Sequence, residues 1–342
     1  MARNNPNNAN KEEERILKQA LHAFQATTDL GISIQKAYRP REGADAEVLL
    51  EGGQKLLVEV KRSVTPATIG AVAAQVAGFG KPGILVTRYI TPSMAERLKA
   101  LDIGFLDTAG NAYLHTPNLF VYVAGIKPQT PTKRERTVRA LRPTGLKVIF
   151  ALLCLEDLLN ASYREIAQAA GVALGTVGWV FYDLKRLGYI REAKAGRKFE
   201  DRPGLVNKWV EAYAQELRPK LKPKRYRVEK TDWWKQENLT GLDMWLGGEP
   251  AAAVLTKHLR PEIVTFYGDT QFAALAKRIK PVKDEYGNLE VLHKFWEFDI
   301  PAREKKYPLV PPLLIYADLV VTGDARNIET AQIIKERFLE KE

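Results

Sequence analysis

Three residues in the first third of the chain have types and a spacing that suit phosphodiester chemistry. Asp45 precedes one apolar stretch, and Glu59 and Lys61 end the next, Leu56 to Lys61. Because side chains alternate along a strand, Glu59 and Lys61 are expected on the same face. Asp45 and Glu59 are candidate ligands of a divalent cation, and Lys61 could orient or activate a water. The alternative is a surface ion pair between Glu59 and Lys61.

A second group of residues, in residues 174–199, suits binding to duplex DNA. Val177, Val180 and Leu184 recur with the spacing of one buried helix face. The opposite face, and a hairpin after it, carry hydroxyl, aromatic and basic side chains that can reach bases or phosphates. The candidate DNA-binding residues are Thr176, Trp179, Tyr182, Lys185, Arg186, Lys194, Arg197 and Lys198.

Positive charge is concentrated around this second group. The whole chain has a formal net charge of +11, and residues 126–230 alone hold 23 Lys or Arg against 11 Asp or Glu. A basic block inside a folded chain is typical of nucleic-acid binders, because each neutralised phosphate releases counterions. A solvated linker with incidental Lys and Arg is the alternative.

Alternating strands and helices surround Asp45, Glu59 and Lys61. The pattern predicts an α/β domain with a mixed sheet over residues 11–126, after a disordered start at Asn4 to Asn10. Gly52 and Gly53 are expected to form the tight turn of a hairpin. The predicted elements are helices at Lys11 to Gln25 and Pro66 to Phe79, and strands at Ala46 to Glu51, Lys55 to Lys61 and Ile84 to Thr87.

Residues 143–217 have the pattern of three short helices followed by a hairpin. A first apolar helix is expected at Gly145 to Leu155. Ser162 and Glu165 have the spacing of a capping box that starts the second helix. Gly171 ends that helix, and Gly188 ends the third, because glycine tolerates left-handed backbone geometry.

Two basic segments that contain proline, Lys127 to Pro143 and Arg218 to Lys230, are expected to be linkers. Behind the second, residues 231–342 are mildly acidic and rich in aromatics, and predict an α/β or α+β domain. Its expected helices are Ala251 to His258, Asp269 to Ile279 and Ala325 to Leu339, and its expected strands are Ile263 to Tyr267 and Leu289 to Phe298.

The central segment resembles bacterial winged helix-turn-helix regulators. The resemblance lies in Ser-Tyr-Arg-Glu-Ile-Ala from Ser162, Gly-Val-Ala-Leu-Gly-Thr-Val from Gly171, and Leu-Lys-Arg-Leu-Gly-Tyr-Ile from Leu184. It implies that the third helix and the hairpin contact DNA, with no cofactor required. Such domains also serve as protein-protein modules.

The first segment is similar to the PD-(D/E)XK nuclease superfamily and implies a restriction-endonuclease-like fold. The similarity lies in the ordered set of Asp45, a glycine hairpin, Glu59-x-Lys61 and a small-residue helix. It implies Mg²⁺ or Mn²⁺ as cofactor if the site is active. The implied catalytic residues are Asp45, Glu59, Lys61 and Gln75, with one further glutamate from among Glu12, Glu13 and Glu14.

The last segment resembles the AbiEi-type antitoxins of type IV toxin-antitoxin systems. The motifs are Gly-Gly-Glu-Pro-Ala-Ala from Gly247, Phe-Tyr-Gly from Phe266 and Ala-Asp-Leu-Val from Ala317. The resemblance implies a C-terminal domain of nucleotidyltransferase-like α/β fold and a nucleotidyltransferase-like toxin as partner. An active nucleotidyltransferase needs a Gly-Ser sequence followed by a pair of carboxylates that bind two metal ions. Here Gly247 is followed by Gly248 instead of serine, and no such pair follows, so this domain is expected to be catalytically silent.

Three functions follow from these patterns. The first is a sequence-specific DNA-binding regulator, an autorepressing antitoxin with double-stranded DNA as partner and a homodimer as its candidate assembly. The second is a metal-dependent endonuclease directed by the winged helix, and the third is a protein-interaction scaffold. Cys154 and the four scattered histidines are expected to be structural or surface residues. The short apolar runs and the absence of an apolar signal at the start favour a cytoplasmic protein with no membrane partner.

Overall fold

The chain folds into two compact units. Unit 1 contains Met1–Arg136 with Arg186–Gly188, and unit 2 contains Thr137–Lys185 with Tyr189–Glu342. Unit 2 includes the range 231–342 and all of 143–217 except Arg186–Gly188, so the division into three domains stays a prediction. The computed structural model describes residues 6–37, 43–79, 82–128, 138–194, 196–230, 232–237, 239, 242–268, 272–300 and 307–340.

The strands of unit 1 are β1 Ile32–Ala37, β2 Ala46–Leu50, β3 Lys55–Lys61, β4 Gly83–Thr87, β5 Gly104–Asp107, β6 Ala112–Thr116 and β7 Leu119–Val123. Within the described residues they form one sheet in chain order. β3, β4 and β5 are parallel to one another, and the other neighbouring pairs are antiparallel. The predicted mixed sheet is therefore confirmed.

The helices of unit 1 are α1 Pro6–Thr28, α2 Ile69–Ala77 and α3 Pro92–Ala100. α1 buries Ile16, Leu17 and Phe24 in a core that also contains apolar residues of the sheet. The expectation of disorder at Asn4 to Asn10 is wrong from Pro6 onward, because the helix begins there, with proline at the favoured first turn. Residues 1–5 lie outside the described residues.

The hairpin between β2 and β3 places Asp45 beside Glu59. Gly52 and Gly53 have φ angles of +97° and +90°, and the Gly53 N–H donates to the Leu50 carbonyl at 3.0 Å. Only glycine adopts such angles without strain, which explains why two glycines occur in this turn. The predicted glycine hairpin is confirmed.

The first part of unit 2 consists of three helices, a hairpin and a fourth helix. The predicted capping box is present, because the Ser162 N–H donates to Glu165 Oε2 at 2.8 Å and the Glu165 N–H donates to Ser162 Oγ at 3.3 Å. Gly171 ends the second helix in the left-handed region. The elements are α4 Pro143–Cys154, α5 Tyr163–Ala170, α6 Leu174–Arg186, β8 Ile190–Ala193, β9 Gly196–Phe199 and α7 Arg202–Ala212.

The second part of unit 2 is a sheet packed with helices. Its strands are β10 Lys224–Arg227, β11 Trp245–Gly247, β12 Val264–Tyr267, β13 Val282–Lys283 and β14 Leu289–Leu292. The strand order among the described residues is β11-β12-β14-β10-β13. Its helices are α8 Gly248–Thr256, α9 Phe272–Ile279, α10 Pro312–Thr322 and α11 Ala325–Phe338.

The sequence pattern predicted a linker at Arg218 to Lys230, and this prediction is wrong. The segment supplies β10, which pairs with β13 and β14 inside the sheet. The charge of Arg218 is balanced by buried acidic residues that follow much later in the chain. A local charge pattern contains no information about such distant partners.

One aromatic core joins the two parts of unit 2. Phe150 of α4 is fully buried and stacks on Trp209 with ring centroids 5.2 Å apart. Phe295, Trp296 and Phe298 surround the same ring at 4.9 to 5.9 Å. The strand predicted at Leu289 to Phe298 is therefore too long. The observed strand ends at Leu292, and the residues after it leave the sheet and pack their rings around Phe150.

Candidate nucleic-acid interface and carboxylate site

The outer face of α6 exposes two large aromatic side chains. Trp179 and Tyr182 are 55% and 61% exposed, whereas Val177, Val180 and Phe181 on the inner face are buried. The two exposed rings meet edge to face at 6.4 Å. Two large aromatic rings exposed side by side on one helix face make this face a candidate binding surface.

Arg139 extends this face, and the sequence patterns did not identify it. Its guanidinium carbon lies 4.7 Å from the centroid of the Trp179 ring. The next residue, Ala140, is buried and donates its N–H to Asp183 Oδ2 at 3.2 Å. This bond holds the turn before α4 against α6. Arg139 belongs to the basic segment from Lys127, but no periodicity connects it to α6. Residues 129–137 of that segment lie outside the described residues.

The β8–β9 hairpin adds exposed positive charge. Lys194 and Lys198 are exposed, and so is Arg191, which pairs with Glu200 at 2.9 Å. Lys185 on α6 forms an ion pair with Glu192 on β8, which holds the pKa of Glu192 below its usual range. Thr176 and Arg186 are only half-buried. Ala195 lies outside the described residues.

Arg197 faces the helices rather than solvent. Its guanidinium donates to the Ala161 carbonyl at 2.6 Å and lies 4.7 Å from the Phe181 ring centroid. Asn160 bonds both the N–H and the carbonyl of Arg197, at 2.7 and 3.1 Å. These contacts fasten the hairpin to the helices. Its Nη1 atom is buried, so this part of the guanidinium does not face a phosphate in solvent.

The carboxylate site lies where β3 ends, as its spacing predicted. Lys61 Nζ is 2.7 Å from Glu59 Oε1, so the two side chains do share a face. Asp45 is bonded across the hairpin, with its Oδ2 accepting the Val60 N–H at 2.7 Å. Two carboxylates and one ammonium therefore meet at one place on the sheet.

Burial raises the pKa of Asp45 to about 7, and the negative charge of Glu59 adds to the rise. The Val60 N–H and the Lys61 ammonium act in the opposite direction. A weaker contribution that raises this pKa comes from Glu13. Carboxylates that share a site behave in this way, because their like charges disfavour simultaneous ionisation.

The sequence did not decide which of Glu12, Glu13 and Glu14 would be the further glutamate of the site, and their contacts differ. Glu12 is bonded to Arg88 at 2.6 Å, and Glu14 is bonded to Lys18 at 2.6 Å on the helix surface. Glu13 lies 3.6 Å from Arg62 and is the one whose charge reaches Asp45. Gln75 is buried on α2.

A divalent cation fits this site only in part. Among the residues that the structure describes, no three His, Cys, Asp or Glu side chains are placed to hold a metal ion together. Asp45 and Glu59 supply two carboxylates. Mg²⁺ is commonly held by one or two carboxylates, with waters and substrate phosphates as its other ligands. The pair could therefore hold Mg²⁺ or Mn²⁺ only with ligands from outside the chain.

A second carboxylate cluster is sealed inside unit 2. Asp318 on α10 accepts hydrogen bonds from the hydroxyls of Tyr213 at 2.9 Å and Tyr267 at 2.7 Å. Arg218 donates to Glu290 at 2.6 Å and lies 3.7 Å from Asp318. Burial raises the pKa of Asp318 to about 6, although Arg218 and both hydroxyls favour its charged form.

Gly247 and Gly248 lie against this cluster and have a packing role. A Cβ on Gly247 would be 2.7 Å from the Tyr267 ring, and one on Gly248 would be 2.9 Å from Thr265 Oγ1. The glycines allow close contact with side chains of the same chain. This arrangement favours a turn into α8 over a cradle for phosphate.

Comparison with known proteins connects this part of unit 2 to one family. Residues 198–340 match the model of a family described as transcriptional regulator, AbiEi antitoxin, Type IV TA system. We call these residues the AbiEi region. It covers about two fifths of the chain. No curated protein and no solved structure matched the chain.

The match over the AbiEi region supports a general role as a transcriptional regulator and antitoxin. A toxin is the partner that such a role implies. The AbiEi region contains all three motifs on which the sequence resemblance rests, from Gly247, Phe266 and Ala317. It starts in β9 and does not extend to α4, α5, α6 or unit 1. The winged helix and the nuclease-like domain therefore stay predictions. Within the described residues, no helix combines the length and apolar character of a membrane span.

Proposed function

We propose that this protein is a DNA-binding transcriptional regulator, an autorepressing antitoxin of a type IV toxin-antitoxin system. In this proposal α4, α5, α6 and the β8–β9 hairpin form a winged helix-turn-helix, with α6 in the major groove. The observation that carries the proposal is the outer face of α6, where Trp179 and Tyr182 are exposed beside Arg139 and a basic hairpin.

The side chains of the α6 face and of the β8–β9 hairpin have different roles in the proposal. Lys194 and Lys198 contact phosphates, which fixes the position of the protein on the duplex without reading the sequence. Trp179 and Tyr182, with Arg139, contact the groove. Lys185 can exchange its pairing with Glu192 for a phosphate. Arg197 positions the hairpin and is removed from the set of predicted DNA contacts.

The AbiEi region supplies the antitoxin part of the proposal. Its sealed Asp318 cluster and its close-packed glycines support the expectation that it catalyses no nucleotide transfer. A nucleotidyltransferase-like toxin remains the proposed target of the antitoxin activity. A homodimer and a cytoplasmic location also remain proposals.

The test measures binding of the full chain to its own promoter over a range of salt concentrations. We use the full chain because Phe150 shares one aromatic core with the AbiEi region. The K194A/K198A variant should reduce the slope of log K against log salt by about 2, since each phosphate contact contributes about 0.9. The matched control is K230Q/K257Q, which removes two exposed lysines elsewhere in unit 2.

Two further variants separate contact from positioning. Trp179→Ala should weaken promoter binding more than binding to unrelated duplex, because a groove contact carries sequence information. Arg197→Ala should lower thermal stability as well as affinity. An unchanged salt slope in K194A/K198A, or a slope equally reduced in K230Q/K257Q, would remove the hairpin from the interface.

A metal-dependent endonuclease is the second candidate, and one observation favours it. Asp45, Glu59 and Lys61 converge at the end of β3, as the resemblance to PD-(D/E)XK nucleases implies. A cation there would stabilise the charge that develops on phosphate oxygens. Asp45 and Glu59 would hold it, and Lys61 would orient the attacking water.

Plasmid nicking in Mg²⁺ or Mn²⁺ tests this candidate. Wild type should nick the plasmid and Glu59→Ala should not. Glu47→Ala is the control, since Glu47 lies on the neighbouring strand and pairs with Lys55 at 3.2 Å. Equal nicking by all three proteins, or none by wild type, would reject the endonuclease.

A further inference from the structure

The outer edge of the sheet in unit 2 carries a second concentration of positive charge. Strand β13 forms this edge and pairs with β10 through Tyr226 with Lys283 and Arg227 with Val282. Residues 220–227 and 277–286 together contain nine Lys or Arg against two acidic residues. We call these two segments the basic edge. Its exposed lysines are Lys220, Lys222, Lys224, Lys277, Lys280 and Lys283.

Tyr286 projects from the turn between β13 and β14. Its side chain is 85% exposed, more than any other large hydrophobic side chain among the described residues. Val282, which precedes the turn, is 67% exposed. Neither residue contributes to a core, so the fold gives no reason for an aromatic ring at this position.

The turn that carries Tyr286 is held firmly. Asp284 accepts the Tyr286 N–H at 2.8 Å through Oδ1 and the Arg227 side chain at 2.5 Å through Oδ2. Arg227 also donates to the Tyr286 carbonyl at 3.3 Å. Gly287 lies so close to β10 that a Cβ would be 2.0 Å from the Tyr226 carbonyl oxygen. A ring on such a turn loses little backbone freedom when it binds a ligand.

We propose that the basic edge binds a nucleic-acid strand with unpaired bases, with Tyr286 stacking on a base and the lysines contacting the phosphates that flank it. Aromatic side chains stack on unpaired bases in RNA recognition, whereas the bases of a duplex are already stacked on one another. The excess of cations complements a polyphosphate backbone and repels a basic partner. None of its residues belongs to the outer face of α6, and the proposal does not depend on DNA binding there.

The charge and the ring make different predictions for binding. Phosphate contacts should produce a dependence on salt, with a slope of about 0.7 for each contact to a single strand. Stacking of one base contributes about 1–3 kcal/mol, which corresponds to a loss of about 5- to 150-fold when the ring is removed. Stacking needs the ring and not the hydroxyl, so phenylalanine should replace Tyr286.

The experiment measures fluorescence anisotropy of a labelled single-stranded RNA of about 12 nucleotides with the full chain. The variants are Tyr286→Ala, Tyr286→Phe and K280Q/K283Q, each in wild type and in a W179A/K194A/K198A background with an altered α6 face. The other probes are single-stranded DNA of the same sequence and the promoter duplex. Since Tyr286 is exposed, none of its variants should change the thermal midpoint.

We expect Tyr286→Ala to weaken RNA binding about 5- to 150-fold and Tyr286→Phe to retain it. K280Q/K283Q should reduce the salt slope by about 1.4. These effects should be the same in both backgrounds, and within each background the Tyr286 variants should leave promoter binding unchanged. The ratio of the affinities for the RNA and the DNA strand shows which of the two the site prefers. Binding of the promoter duplex that depends on Tyr286 would overturn an unpaired strand as the ligand. RNA binding that is unchanged in Tyr286→Ala, or lost in the altered α6 background, would overturn the site. Self-association that Tyr286→Ala abolishes, without RNA binding, would replace it with a protein contact.

Discussion

The Asp45 cluster of unit 1 and the Asp318 cluster of unit 2 contain similar groups in different surroundings. Each has two carboxylates and a cation, and burial raises the pKa of one carboxyl in each. Asp318 accepts hydrogen bonds from two tyrosine hydroxyls and lies near the guanidinium of Arg218. For Asp45 the corresponding donor is one backbone N–H, and the nearby ammonium pairs with Glu59.

The difference shows what distinguishes a structural cluster from a candidate site. In the Asp318 cluster the fold supplies donors to the buried charge, and removing any donor leaves a polar group without compensation. In the Asp45 cluster the like charge of Glu59 raises the pKa more than the Lys61 ammonium lowers it, and a ligand cation would relieve this repulsion. In the Asp318 cluster the charge of Glu290 also raises the pKa, but Arg218 lowers it by more. We therefore expect a structural role for the Asp318 cluster, and the Asp45 cluster stays the candidate binding site. The following predictions test that assignment.

The largest effect is expected from Arg218→Met. This change leaves Glu290 and Asp318 buried without their cation and should reduce the free energy of unfolding by about 3–5 kcal/mol at pH 7.5. Chemical denaturation measures it. Arg225→Met is the matched control, because Arg225 is more exposed and lies 3.8 Å from Glu290. Equal losses in both variants would mean that Arg218 has no special role in the cluster.

A smaller effect is expected from Tyr267→Phe. The variant keeps the ring but removes the hydroxyl that donates to Asp318, and hydrogen bonds to charged groups contribute about 1.5–3 kcal/mol. The free energy of unfolding should fall by that amount. Tyr286→Phe removes an exposed hydroxyl and should not change it. If Tyr267→Phe were as stable as wild type, the cluster would not be a structural one.

The smallest effect concerns the pH dependence of stability. Because the pKa of Asp45 is raised from 3.8 to about 7, the folded chain keeps a proton that the unfolded chain has lost. The contribution of Asp45 to the free energy of unfolding has its full value below about pH 4 and is lost as the pH rises to about 7. Asp318, with a pKa raised to about 6, contributes over a lower and narrower range.

Asp45→Asn should therefore flatten the decline of stability between about pH 6 and pH 7, by up to about 1.4 kcal/mol per pH unit. Denaturation at several pH values measures this slope. Glu59→Gln should lower the pKa of Asp45, and Lys61→Gln should raise it further, because their charges act in opposite directions. An identical slope in wild type and Asp45→Asn would show that Asp45 is ionised throughout, without the like-charge effect that a ligand cation would relieve.

Local patterns were sufficient for the elements around the α6 face and the carboxylate site. The glycine hairpin, the capping box at Ser162 and the alternation of Glu59 with Lys61 all depend on residues a few positions apart. The bounds of α5 were predicted as observed. Long-range features were missed. The supposed linker from Arg218 is part of a sheet, and the strand from Leu289 is shorter than its apolar run.

By itself the sequence determined short-range geometry, because turn residues, caps and side-chain alternation act over one or two turns of chain. It also determined the excess of charge in the middle of the chain. Only the tertiary structure decided which cations face solvent. Arg139 reaches Trp179 across 40 residues, Arg197 turns inward, and Arg218 meets Glu290 across 72 residues. Such pairings depend on packing between distant segments, which no local spacing of residue types records.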